Sequence, residues 1–367
     1  MAEKAIRLGG ESTADAIVSA VDAMYTEHTF AEKDFALKHN EDEISVDTNF
    51  AAQNFWKEAI IRFFNKKSAV LGLVLIVIIV LLAVLGPGMN SYTYSGQDLS
   101  QKNFAPRVPG IEQFGILDGS EKMSTTTGTK IVNNYVEKGK DDVYYWFGSD
   151  LYGRDIWTRT WEGARVSLII AVAAAIIDMV IGMSYGLISG YFGGRVDMVM
   201  QRFLEVANGI PRLVIVTLLL LVLQPGMVTI IFALMLTEWV GMSRIARAEM
   251  LKLKDQEFVL ASRTLGAGSF FIIFKEVLPN IIGPIITQVM FSIPTAIFTE
   301  AFLSFVGLGI PVPQCSLGSL ISELYNSFTT HPYQIIPPMV VMSLLMMSFN
   351  LVADGLREAL DPKMKSM

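Results

Sequence analysis

The sequence predicts an all-α membrane protein of about six transmembrane helices, preceded by an amphipathic helix in the membrane interface. Three observations predict it. Of 367 residues, 52% are hydrophobic and only 17% charged, whereas a soluble domain carries about a quarter charged residues. Apolar stretches long enough to cross a hydrocarbon layer of ~30 Å recur along the chain. Lys and Arg collect in alternate short connections, as the positive-inside ordering of spans requires. The mean hydropathy of +0.45 agrees.

Charge is uneven. Residues 1–48 form a polar, acidic, cytoplasmic N-terminal extension with a weak helical stretch around Ser12–Tyr25. The first 60 residues carry nearly all of the chain's net charge of −6, so the acidic pI of 5.3 describes that segment. No basic surface suited to nucleic acid is present. One cysteine, Cys315, allows no intrachain disulfide, and no Cys/His cluster offers a metal site. No secretory signal begins the chain, so the first span is expected to serve as an uncleaved membrane signal.

Residues 49–66 hold the interfacial helix. Phe55, Trp56, Ala59, Ile60 and Phe63 share one face, with Lys57, Glu58 and Arg62 elsewhere. Residues 67–89 are the first span: Ala69–Leu85 carries no charge and Gly86-Pro87-Gly88 ends it. Residues 90–162, rich in Gly, Ser, Thr and Asn, read as an irregular extracytoplasmic loop. Residues 163–357 are a five-helix core, with spans near 163–190, 198–223, 227–248, 281–306 and 334–355. A cytoplasmic tail of 358–367 follows. Asp178, Glu205, Glu238 and Glu300 lie within these spans beside Pro211, Pro284, Pro294, Pro337 and Pro338. Charges and prolines persist at membrane depth where helices pack on protein or line a wet cavity. The first span is therefore read as peripheral and the other five as a bundle around something polar. Basic residues in the short connections give a multi-pass protein of the cell membrane with both termini cytoplasmic.

The connection 249–280 is unusually organised. Asp255 is positioned to cap a short helix reaching about Leu265, Gly266 and Gly268 break it, and Ser269 is positioned to cap a second helix. Pro279 marks the approach to the fifth span. A short helix held across the membrane face between two spans suits a docking lever that moves both.

These residues carry a resemblance. Leu260-Ala261-Ser262, Gly266 and Glu276-Val277-Leu278-Pro279 resemble the EAA-x3-G-x9-I-x-LP loop of ABC-importer permeases. FGSDLYGRDIWTRTWEGARVSL (147–168) and NLVADGLREALDPK (350–363) are similar to stretches of the C-type subunit of oligopeptide and dipeptide permeases. The resemblance covers about 60–367. It implies the type I ABC-importer permease fold and a heterodimer with a homologous permease subunit. It further implies two cytoplasmic ATPase subunits that hold ATP and Mg, and an extracytoplasmic peptide-binding protein. This chain would hold no cofactor and do no catalysis. Coupling to the ATPases would fall to Asp255, Glu257, Phe258, Leu260, Ala261, Ser262, Arg263, Leu265, Gly266, Ala267, Leu278 and Pro279. The departures are Leu260 for the family's Glu, Ser262 for its second Ala, Glu276 for its Ile, and Thr158 for a Ser. They leave the turn intact and remove one polar contact.

Asp150, Arg154 and Asp155, near the second span, suit an outer gate or docking of the binding protein. A turn whose Asp and Arg bond each other is the alternative. Asp178, Glu238 and Glu300 are the pore-lining candidates, Glu300 foremost because Pro294 should bend its helix; interhelical hydrogen bonding is the alternative. The methionines of the last span (Met339, Met342, Met346, Met347) suit adaptable packing. A secondary transporter or channel would use the same acids as ion sites, but no paired broken segments show an inverted repeat. A membrane enzyme lacks a constellation, since His28, His39 and His331 lie far from those acids in sequence. The chain has no G-x4-G-K-S/T phosphate loop. The expected cargo is a peptide, oligopeptides ahead of dipeptides.

Overall fold

The computed structural model describes residues 55–125 and 128–360. The extension 1–48, its weak helix around Ser12–Tyr25 and nearly all of the tail 358–367 lie outside the described residues. Among the described residues five helices are long and apolar enough to cross a membrane, and six spans result if a bent pair counts as one.

Helix α1 (Phe55–Asn65) buries Ala59 and Phe63, four residues apart, while Trp56, Ile60, Ile61 and Phe64 stay exposed. The single apolar face expected from sequence is thus divided between protein and surroundings. Glu58 and Arg62 pair across one turn at 3.0 Å. Helix α2 (Lys67–Leu85) buries only Ala69, Gly72, Ile79 and Ala83, and its bulkier side chains face outward. The small face seats on the last span, where a Cβ on Gly72 would meet the Ser348 carbonyl at 2.8 Å. Its terminal carbonyls are capped from the next span: Arg165 donates to Ala83 and Val84 at 3.0 and 3.1 Å, and Trp157 Nε1 donates to Gly86 at 2.9 Å.

The following segment is more ordered than expected. It contains an antiparallel hairpin, β1 (Ser120–Thr125) and β2 (Gly128–Asn133), with Ser120 opposite Asn133. Phe104, Tyr135 and Tyr145 form a small core beneath it, and the Tyr135 hydroxyl donates to Ala105 at 2.8 Å.

Helix α3 (Ile156–Phe192) begins seven residues before the expected span and spans 37 residues. At 1.5 Å per residue it is about 55 Å long, well beyond the bilayer's apolar thickness. One π turn, Asp178–Gly182, interrupts it. Gly193 and Gly194, both at positive φ (61° and 52°), turn the chain into α4 (Gly194–Gly209). Helix α5 (Arg212–Val222) follows at 79° to it. The expected single span 198–223 is therefore a bent pair. Pro211 disfavours helical backbone at Ile210, and Gly209 before it is the weakest helix former available.

Helix α6 (Met227–Leu253) is interrupted once, at Glu238. It packs on the second half of α3 through three glycines four residues apart. Cβ atoms on Gly182, Gly186 and Gly190 would lie 2.6 Å from the Trp239 carbonyl, 2.1 Å from the Ser243 carbonyl and 2.9 Å from Met250 Cβ. This small-residue stripe lets two backbones approach closely. Helix α7 (Glu257–Thr264) lies between α6 and α8 (Ser269–Leu308). Helix α8 runs unbroken past Pro279. A π turn at Ile272–Val277 sits where a proline ring would strike the carbonyl of Lys275. Helix α9 (Leu317–Tyr325) has a Ser316–Ser319 capping box. Helix α10 (Ile336–Leu360) closes the bundle against α2 and α8.

Candidate functional site

At one end of the bundle α7 is anchored by a single fully buried residue, Val259. It enters a core of Leu187, Met242, Ala246, Met250, Ile272 and Ile273. The helix ends in a Schellman motif. Gly266, at φ 83°, donates to the Arg263 carbonyl at 3.1 Å, and Ala267 donates to the Ser262 carbonyl at 3.0 Å. Ala267 packs on the same core. Arg263 stacks its guanidinium over Tyr191 at 5.4 Å, fastening α7 to the end of α3. Glu257, Phe258, Leu260, Ala261 and Leu265 are exposed, Leu265 at 88%. Phe258, Leu260 and Ala261 of α7, Leu265 after it, and Phe270 and Phe271 at the start of α8 are thus exposed apolar side chains, set beside the exposed Glu257 and Arg263. Exposed apolar groups of this kind mark protein interfaces.

Two capping expectations are corrected. Asp255 is exposed and does not cap α7, because the N-cap is Gln256 and no side chain bonds there. Ser269 is the first residue of α8 and not its cap. Leu278 and Pro279 lie inside α8; Leu278 is half-buried and packs on the core behind α7, and Pro279 is exposed.

At the opposite end, Asp150, Arg154 and Asp155 are each at most 2% exposed. They offer no docking surface, so that expectation is corrected, and the alternative of a turn whose Asp and Arg bond each other is what the structure shows. Asp150 Oδ2 accepts from Arg154 Nε at 2.6 Å and from Arg159 at 2.8 Å. Both guanidiniums also donate to Glu323 of α9, Arg159 at 2.8 Å. Burial pushes the Glu323 carboxyl up, but Arg159 and Arg154 outweigh it and hold it below its ordinary value. Asp155 caps α3, accepting from the Thr158 N–H at 2.8 Å and from Asn90 at 2.7 Å. Burial raises its carboxyl above the usual range despite those bonds. Sequence reasoning missed Arg159 and Glu323. Arg159 stands in the quoted stretch 147–168, but nothing local singles out Glu323.

Among the acids of the spans, Glu300 has no exposed surface. Its carboxylate accepts from Ser304 at 2.7 Å, Ser316 at 2.5 Å and Ser167 at 3.4 Å. As a pore-wall residue it is corrected, since these bonds knit α8, α3 and the start of α9 inside the chain. Asp178 is also buried, with one carboxylate oxygen lacking a hydrogen bond. Glu238 is half-buried and close enough for its charge to act on Asp178, and Thr299 donates to it at 3.5 Å. Glu205 is exposed and pairs with Arg202 at 2.6 Å. Among the described residues no group of three or more His, Cys, Asp or Glu side chains is placed to hold a metal ion.

Residues 182–366 match the family described as the binding-protein-dependent transport system inner membrane component. Residues 54–106 match the N-terminal TM domain of oligopeptide transport permease C. The chain is similar to the oligopeptide transport system permease protein OppC of Bacillus subtilis, 41% identical over 85% of this chain and 91% of that protein. It is 40% identical to the dipeptide transport system permease protein DppC of the same organism, over 85% and 86%. To OppC of Escherichia coli K12 it is 33% identical over 85% and 92%. Among solved structures, a chain of the inward-facing MetNI methionine ABC transporter covers 54% of this chain and 94% of its own length, with 15% identity and a TM-score of 0.47.

Proposed function

Since this chain belongs to the family of binding-protein-dependent transport system inner membrane components, we propose that its exposed helix α7 is the seat of a cytoplasmic ATPase. Through it, ATP binding would switch the pore between inward- and outward-facing states. The chain is a permease subunit of an ABC importer with the type I permease fold, and it is not the ATPase. The full assembly in this reading pairs it with a homologous permease subunit, two ATPase subunits holding ATP and Mg, and an extracytoplasmic peptide-binding protein.

The observation that carries the reading is the form of α7: eight residues, one buried anchor, a glycine-terminated end and an exposed outer side that carries Phe258 and Leu260. A helix held this way transmits a push to both α6 and α8. Both termini are then cytoplasmic, which fits the basic residues Arg244, Lys252, Lys254 and Arg263 at the α7 end. Glu238, which keeps part of its surface at mid-bundle where α3, α6 and α8 meet, is the pathway-wall residue in this reading, whereas Asp178, buried like Glu300, lies off the wall. The mouth cluster of Asp150, Arg154 and Asp155 acts from inside, holding the frame of the outer gate.

The cargo in this reading is a peptide, with oligopeptides ahead of dipeptides. Uptake of labelled peptides into proteoliposomes bearing the full assembly and its binding protein tests it. ATP-dependent accumulation of a tetrapeptide above that of a dipeptide supports the reading. Accumulation of the dipeptide alone reassigns the cargo, and accumulation of neither removes peptide transport.

A further inference from the structure

We propose that this chain moves as two rigid blocks pivoting about one layer of helix irregularities. That layer comprises the π turn Asp178–Gly182 on α3, the interruption at Glu238 on α6, and the Pro284–Pro294 stretch of α8. The inference rests on the transporter reading and adds where the chain bends.

The apolar core divides at this layer. One cluster holds Ala164, Ala171 and Ala175 of α3, Leu234 of α6, and Ile293 and Ile297 of α8. The other holds Leu187, Met242, Met250, Val259, Ile273 and Ile285. Each of the three spans passes from the first core to the second across its own irregularity. On α3 the change falls between Ala175 and Met179, on α6 between Leu234 and Met242, and on α8 between Ile285 and Ile293. Val289 alone packs against both clusters. Helices bend sharply at prolines and π turns, and close-packed cores move as units instead of deforming continuously. Helix α8 also carries π turns outside this layer, at Ile272–Val277 and Ser304–Leu308, but its change of core falls between Pro284 and Pro294, so a hinge at the layer is the economical motion.

Each block is fastened internally. In the outer one, α9 is held to α3 by Arg159–Glu323 at 2.8 Å and by the Leu317 N–H to Ser167 Oγ at 3.0 Å. It is held to α8 by Ser316–Glu300 at 2.5 Å. These are bonds among buried groups, so sliding α9 along α3 would strand charges out of water. In the inner block, Gly182, Gly186 and Gly190 lock α3 to α6, and Val259 plugs α7 into the same core. The inner block meets α10 at Gly283, where a Cβ would approach Leu360 at 3.2 Å.

The test is spin-label distance measurement on the complete assembly in lipid nanodiscs, with Cys315→Ala in this chain. Pairs of exposed positions are labelled: Ile169 with Asn326 inside the outer block, Phe192 with Lys252 inside the inner block, and Asn326 with Lys252 across the layer. Resting and ATP–vanadate-trapped states are compared. The expected result is that both internal distances keep their resting distributions while the cross-layer distance shifts by ~5 Å, about one helical turn. A change within the Ile169–Asn326 or Phe192–Lys252 pair as large as the cross-layer change overturns the hinge and leaves the transporter reading standing. Three unchanged distances in an assembly that hydrolyses ATP overturn both.

Discussion

A guanidinium with no exposed surface persists only if its charge is met. That of Arg159 is met by Asp150 through one terminal nitrogen and by Glu323 through the other, while its Nε has no hydrogen-bond partner among the described residues. Breaking such a pair by removing one partner costs about 3–5 kcal/mol, because the other charge stays buried. Arg159→Met is therefore expected to lower the melting temperature of the detergent-solubilised assembly far more than loss of an exposed cation such as Arg202. The same network predicts a pH dependence. With Glu323 held below its ordinary value, its contribution is fully present above the unfolded carboxylate value of about 4.3 and is lost as pH falls through the folded value. Asp118, lowered by its bonds to Ser120, has the same sign, and Asp155, raised by burial, has the opposite one. The difference between the wild-type melting curve and that of Glu323→Gln isolates the Glu323 share. The wild type should lose stability more steeply below pH ~4, and equal slopes would show that the pair contributes nothing.

At the scale of elements, glycine placement separates close packing from open space. Gly186 on α3 faces the Ser243 carbonyl with no room for a methyl group, whereas Gly241 on α6 has nothing within 4 Å of its would-be Cβ. Gly186→Ala should force α3 and α6 apart at a cost of about 1–3 kcal/mol. Gly241→Ala should be neutral or gain up to ~1 kcal/mol of helix propensity. Thermal unfolding of the two variants in nanodiscs decides, and equal melting temperatures would remove the glycine stripe from the account. These elements also mark what the sequence made legible. Long apolar runs marked five of the six expected spans, and Gly266 marked the turn after α7. The 79° bend at Pro211 and the earlier start of α3 at Ile156 were not legible. The first turns of α3 carry polar side chains that are buried against protein, with Arg159 bonded to Glu323 of α9, so they do not read as part of an apolar run. The hairpin at Ser120–Asn133 lacks the apolar alternation that announces a half-buried strand.

At the scale of the molecule, the site was legible where chemistry is local and hidden where it is assembled across the fold. The turn Ser262–Ala267 closes within one helix, so its residue types declared it. The Arg159–Glu323 pair joins residues 164 positions apart, and no local pattern can signal such a partner. The acids of the spans were visible as anomalies, but which of them face a pathway depends on neighbours. Three serine hydroxyls turn Glu300 inward, while Glu238 keeps part of its surface.

The central claim is that α7 carries force between an ATPase and the pore, and stimulated ATP hydrolysis measures this directly. Gly266→Pro removes the N–H that bonds Arg263 and cannot adopt φ 83°, so it breaks the end of α7 without touching its exposed face. In proteoliposomes holding the full assembly, stimulation by the binding protein and peptide should fall to the basal rate while the subunits still co-purify. Unchanged stimulation in that variant would mean that coupling runs through the other permease subunit alone and that this chain is a passive wall.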